Sequence, residues 1–214
     1  MEPSSPYYQA LRELTRERST LKKERIKLKN QLHASFTLEY RVVLVEEHLS
    51  LVETQVKQVD KAIKKHLTCQ KEENKKIKEK VEKVLSTPGV HYTVTATILA
   101  ETDDFAKIEN ARQLIPYAAL GINHRQSGQI ESPGKIKKTG NKHIKSVLFF
   151  PAYSARRASE EISAFYDRIV KKRNGTAGAL AVGRKLLILI YTLWKNNTVY
   201  DPNCIKKGVT SCTS

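Results

Sequence analysis

Apolar residues recur along the first third of the chain at the alternating three- and four-residue spacing of a helix with one narrow buried stripe. In residues 7–34 Leu11, Leu14, Leu21, Leu28 and Leu32 keep that spacing, with Arg18 and Arg25 standing on the seam. In residues 37–68 the stripe is nearly unbroken, running through Val42, Val45, Leu49, Val52, Val56, Val59 and Ile63. Neither stretch contains an internal Gly or Pro. The bend between them is expected near His33 to Thr37, where Ser35 is placed to cap the second helix. Two long helices with narrow stripes and a short link predict an antiparallel hairpin. It is either coiled-coil-like and paired with a second copy, or an ordinary amphipathic pair packed on a globular domain. β-branched residues at both seam positions leave the oligomer number open.

The pattern changes after the charged helix "QKEENKKIKEKVEKVLSTPG". A turn at Pro88-Gly89 leads into an apolar helix from Tyr92 to Glu101, and "NARQLIPYAALG" predicts a short helix stopped by Gly121. A loop or short hairpin follows. Three helices close the chain, over about 141–157, 159–173 and 177–195, the first capped by Asn141 or Thr139 and the last two parted by Asn174-Gly175. The expected fold is mainly α: a long antiparallel helical hairpin, then a small all-α domain with a helix-hairpin-helix-like turn and at most one short β-hairpin. The expected divisions are a helical linker and dimerisation region over 1–82, a domain over 83–200 and a tail over 201–214.

Charge adds a partner to this picture. The formal net charge of the 214 residues is +16, which favours a polyanion, nucleic acid first, with solubility or an anionic membrane as the blander readings. The three cysteines, Cys69, Cys204 and Cys212, are widely spaced and form no C-x-x-C pair, which argues against a disulfide framework or a structural zinc site. No apolar leader follows Met1, and the longest apolar run, Leu186 to Trp194, is too short to span a bilayer and is flanked by Arg184, Lys185 and Lys195. A cytoplasmic protein with no membrane partner is expected.

Candidate chemistry is sparse. Metal-dependent nucleases need converging carboxylates, but Asp103-Asp104 and Glu160-Glu161 are neighbours that face apart, and no metal site is expected in the chain. The turn at Gly89 resembles one that offers backbone N–H groups to a phosphate, although His91 stands where a second glycine is usual. The densest signal lies in "HRQSGQIESPGKIKKTGNKHIK". Arg125, Lys135, Lys137, Lys138, Lys142 and Lys145 fall within 21 residues, interrupted by the single acid Glu131. Gly128, Gly134 and Gly140 allow close backbone approach, as a phosphate-tracking surface requires. Ser127 stands in the middle, and on composition alone its Ser-Gly pair is a turn.

The combination Leu120-Gly121, Ser127-Gly128, Ile136-x-Lys138-x-Gly140-Asn141, Phe165-Tyr166 and Arg184-Lys185-Leu186-Leu187 resembles the C-terminal domain of the insertion-sequence one-ten transposases. These are also described as Piv/MooV-like DEDD transposases, some of them guided by a structured RNA. The likeness covers about 83–200, and the upstream helices are similar to that family's coiled-coil linker. It implies that Ser127 is a nucleophile forming a phosphoserine link to DNA, within a composite site completed by an RNase-H-like domain with four acids and magnesium. It implies contacts to DNA, or to a guide RNA, from Gly89, Arg125, Gly128, Lys135, Lys137, Lys138, Gly140, Asn141, Lys142, Lys145, Arg184 and Lys185.

Two departures qualify the likeness. Ile122-Asn123-His124 lacks the proline common after Leu-Gly, and Met1 falls where the linker begins, so the acidic domain with its magnesium is expected to lie outside this chain. The chain alone is therefore expected to bind no cofactor and to be inactive. Expected partners are DNA, a guide RNA, a second copy joined through residues 7–68, and full-length transposase. The competing readings are a non-catalytic nucleic-acid-binding regulator or remnant, and a structural coiled-coil protein.

Overall fold

A computed structural model describes residues 5–34, 38–68, 75–106, 108–127, 130–136 and 139–202, with the backbone alone over 122–127 and 130–136. The protein is mainly α. Helix α1 (Pro6–His33) starts on Pro6, whose missing N–H costs nothing in a first turn, and α2 (Glu39–Leu67) returns beside it. The pairing is antiparallel. Tyr7 stacks on His66 at 4.3 Å, Arg18 pairs with Asp60, and Lys29 meets Glu53 at 3.3 Å, so partners climb one helix as they descend the other.

Arg18 is thus an ion-paired interruption of the leucine seam. Leu21, Leu28, Val52 and Val56 close the distal seam within the chain itself. Tyr40, Val43, Leu44 and Leu51 of α2 remain exposed. The expected cap at Ser35 lies outside the described residues; α2 begins after Leu38, with no side-chain capping bond.

The near end of the hairpin is buried in the main core. Tyr8, Leu11, Ile63 and Leu67 join one apolar cluster with Val81 and Val84 of α3 (Lys75–Leu85) and with the helices that follow. At the centre is α4 (Tyr92–Thr102), whose residues from Val94 to Thr102 are all buried. A helix buried on every side needs a neighbour on every side. Packed against α4 are α1, α2, α3 and α6 (Lys142–Ala158), while α5 (Ala111–Tyr117), α7 (Glu160–Val170) and α8 (Gly175–Asn196) complete the domain.

Asn141 caps α6, accepting from the N–H groups of His143 and Ile144; Ser159 and Asn174 cap α7 and α8. Among the described residues, α8 is the one helix long and apolar enough to cross a bilayer, yet Leu186, Leu187, Ile190 and Trp194 place its apolar side in the core. The last helix begins two residues earlier than the expected 177 because Asn174 captures the Ala177 N–H.

The turn between α3 and α4 turns on Gly89, at φ +79°. A Cβ there would stand 2.7 Å from both the Pro151 carbonyl oxygen and the Ala155 amide nitrogen of α6. Left-handed backbone and direct contact with a helix backbone both demand glycine. Gly89→Ala should lower stability by about 2–4 kcal/mol, from overpacking and positive φ together. Thermal unfolding of the full chain checks this; a melting temperature within a degree of wild type would refute the contact.

Candidate nucleic-acid interface

The basic stretch forms a two-stranded antiparallel hairpin, β1 (Ile122–Ser127) and β2 (Ile130–Ile136). Ile122 pairs with Ile136 at its base and Ser127 with Ile130 at its far end, with an irregularity between Asn123 and Arg125. At roughly 3.3 Å per residue, the five steps from Ile122 carry the Ser127 backbone about 16 Å along the strand. Arg125 stands opposite Ser132, and Lys135 opposite Asn123. Gly128, Lys137 and Lys138 lie outside the described residues.

The hairpin leaves the core at two fastened points. Before it, α5 is followed by Ala119 at φ +54° and the buried Leu120. The Arg184 guanidinium of α8 donates to the Leu120 carbonyl, and burial lowers the Arg184 pKa. After the hairpin, Gly140, at φ +129°, sits so close to α5 that a Cβ would meet the Ala119 nitrogen at 2.7 Å. Asn141 then caps α6 through its side-chain oxygen, while its side-chain Nδ2–H donates to Glu101 Oε2 at 2.7 Å.

The residues proposed from the sequence as ligand contacts therefore fall into two groups. Gly89, Gly140, Asn141 and Arg184 each hold two elements of the fold together. Lys185 lies 5.1 Å from the centre of the Phe165 ring, a cation on an aromatic face, and burial lowers its pKa. Arg125, Lys135, Lys142 and Lys145 lie on the hairpin and the first turns of α6, where Lys142 is exposed and no acid stands in the first turn. Cations at a helix N-terminus oppose the helix dipole, and an anion there relieves both.

Sequence reasoning missed Glu101, the carboxylate that joins these parts. Its side chain is almost completely buried at the end of α4. Arg16 of α1 holds it through two bonds, Nε to Oε1 at 2.9 Å and a terminal nitrogen to Oε2 at 3.1 Å. Tyr117 of α5 donates to the Glu101 carbonyl, and Arg12 donates to the Ala100 carbonyl at 2.9 Å. Burial pushes the Glu101 carboxyl upward, but the bonds from Arg16 and Asn141 outweigh it, and the net pKa is lowered. The nearby His143 is lowered mainly by burial, with Arg16, Lys142 and Lys23 adding to the fall and Glu101 opposing it. The signal available in the sequence was a single carboxylate closing an otherwise apolar helical run.

Asp104 has a different environment. Trp194 donates to its carboxylate, Lys80 and Lys195 lie near, and burial still raises its pKa. Among the described residues no three or more His, Cys, Asp or Glu side chains are grouped so that they could hold a metal ion.

Residues 81–167, which include the whole hairpin, match the transposase family described as IS116/IS110/IS902. That stretch of the chain is thus similar to the transposase domain of this family, and the relatives it resembles come from insertion elements. It is 24% identical over 117 residues to the "Insertion element IS110 uncharacterized 43.6 kDa protein" of Streptomyces coelicolor, a match covering 54% of this chain and 29% of that one. It is 24% identical over 129 residues to the "Transposase for insertion sequence element IS1111A" of Coxiella burnetii, covering 58% and 35%. The matched stretch spans about a third of either relative.

The Glu101 cluster yields a pH test. A depressed carboxyl pKa contributes stability above its ordinary value of 4.5, and that stability is lost as pH falls through the lower folded value. Glu101→Gln should cost about 1–3 kcal/mol at pH 7 through loss of the charge-assisted bonds. The gap between variant and wild type should close below pH 4.5, towards the depressed folded pKa. Chemical denaturation across pH reads this, and a pH-independent gap would contradict the network.

Proposed function

We propose that this chain is the DNA-binding, nucleophile-bearing part of an insertion-sequence transposase acting in the cytoplasm. The observation that carries the reading is Ser127 at the far end of a basic hairpin, inside the segment that matches the transposase family. Arg125, Lys135, Lys137, Lys138, Lys142 and Lys145 hold the phosphate backbone, and Ser127 attacks it. The Ser127 Oγ–phosphorus bond forms, one phosphorus–oxygen ester bond of the strand breaks, and the released oxygen takes up a proton.

A serine hydroxyl needs a base to accept its own proton. Lys and Arg stay protonated near neutral pH and instead stabilise the charge developing on phosphate. The base is assigned to an acidic domain acting with this chain. Self-association through residues 7–68 belongs to the same proposal. The hairpin closes its own seam, so the surface offered to a second copy is the exposed row of Tyr40, Val43, Leu44 and Leu51. A guide RNA is a second polyanion suited to the basic residues.

The test uses the full chain and a labelled duplex. Wild-type affinity should fall steeply with salt, and replacing Lys135, Lys137, Lys138 and Lys142 with Ala should reduce the log–log slope by about 3.6. Ser127→Ala should leave that slope unchanged. With an acidic domain of a related transposase supplied in trans, wild type should form a covalent DNA adduct that mass spectrometry maps to Ser127, and Ser127→Ala should form none. An adduct on another residue contradicts the nucleophile. Binding with no adduct under any condition favours a non-catalytic regulator.

A further inference from the structure

A second basic surface lies apart from the hairpin. A groove of about 410 Å³ runs between α1 and the face made by the start of α4 and α6. Lys22 and Lys23 stand on the α1 wall. Asp60, the acid near that wall, is engaged by Arg18, and no Asp or Glu is among the described lining residues. Burial lowers the Lys22 pKa, and Arg18 and Arg25 lower it further against the pull of Asp60, a strain that a bound anion would relieve.

The opposite wall carries Ser146, Phe150 and Ser154 of α6. Their four-residue spacing puts two hydroxyls and an aromatic ring on one helical face. Phe150 is 76% exposed, and its T-shaped contact with Phe149, 5.7 Å between centroids, supports the ring at the groove edge.

Cations, hydroxyls and a ring standing in water are the parts that recognise alternating phosphates and bases. A duplex keeps its bases stacked inside and has no free base face for Phe150, whereas an unpaired strand does. An acidic peptide would satisfy the lysines and leave the ring without a planar partner. We propose that this groove binds an unpaired nucleic-acid strand, with a base stacked on Phe150 and the flanking phosphates held by Lys22 and Lys23. Ser146 and Ser154 donate to the same backbone. The site stands independently of any chemistry at Ser127.

The experiment measures anisotropy of labelled twenty-nucleotide oligo-dT, oligo-U and a duplex of equal length on the full chain. Phe150→Ala should weaken at least one single strand about tenfold and the duplex less than twofold, as loss of one stacked base requires. The strand held more tightly identifies DNA or RNA as the source. Phe150→Trp should retain binding. Lys22→Gln with Lys23→Gln should lower the single-strand salt slope by about 1.4, while Lys171→Gln with Lys172→Gln, at the end of α7, should change only the general electrostatic background. Because Phe150 is exposed, its variants should melt with wild type, and the lysine pair provides a second measure that does not alter the ring.

Hairpin-lysine variants should weaken the duplex and leave the effect of Phe150→Ala in place, which separates this site from the proposed DNA surface. Single-strand binding within twofold of wild type in both groove variants overturns the proposal. So does equal weakening of strand and duplex by Phe150→Ala, or displacement of the strand by poly-glutamate at equal charge.

Discussion

Everything in this fold is arranged around the burial of α4. A helix enclosed from Val94 to Thr102 has no face to give to water, so the chain must surround it. It does so with the near ends of both long helices, with α3 and with α6. Burial of the helix also encloses the Glu101 carboxylate, and a buried carboxylate persists as an anion only when hydrogen-bonded and paired. Arg16, from the first helix, and Asn141, from the segment after the hairpin, supply those partners. The hydrophobic requirement brings the helices together, and the carboxylate sets which residues meet at that end.

The candidate interface inherits its position from this constraint. Leu120 and Gly140 flank the base of the hairpin, one held by Arg184 and the other pressed against α5. Asn141 adds the Glu101 contact one residue later. The backbone of Ser127 is then carried outward along a strand whose root is fastened on both sides. In the proposed mechanism this rigid root lets a distant serine be aimed, and it leaves the chemistry to be completed by another acidic domain. The groove beside Phe150 belongs to the same frame, because α6 starts at the hairpin root and lines the groove from His143 to Ser154.

Much of the helical layout was legible in the sequence because helix periodicity is local. The leucine and valine seams, the apolar run of α4, the cap at Asn141 and the break at Asn174-Gly175 all lie within a few residues of what they specify. The hairpin was harder to read, since Gly and Lys mask strand alternation, and loop and hairpin both fit. Contacts between distant segments were not legible. Arg16 and Glu101 are 85 residues apart in sequence, and neither is unusual in its own neighbourhood. Gly89, Gly140 and Arg184 were singled out as nucleic-acid contacts, and in the structure each touches another part of the chain. The likeness to the transposase family was legible only through several spaced residues taken together with Ser127, where Ser-Gly alone reads as a turn.

The N-terminal helical hairpin and helices α3 to α8 form one body around α4. Native-state hydrogen exchange of the full chain measures this most directly, because it resolves the opening free energy of each segment. The account predicts that amides from Val94 to Thr102, in the buried middle of α8, and around Leu11 to Thr15 of α1 exchange through the same large opening. Rapid exchange around Leu11 to Thr15 while α4 and α8 stay protected would contradict it.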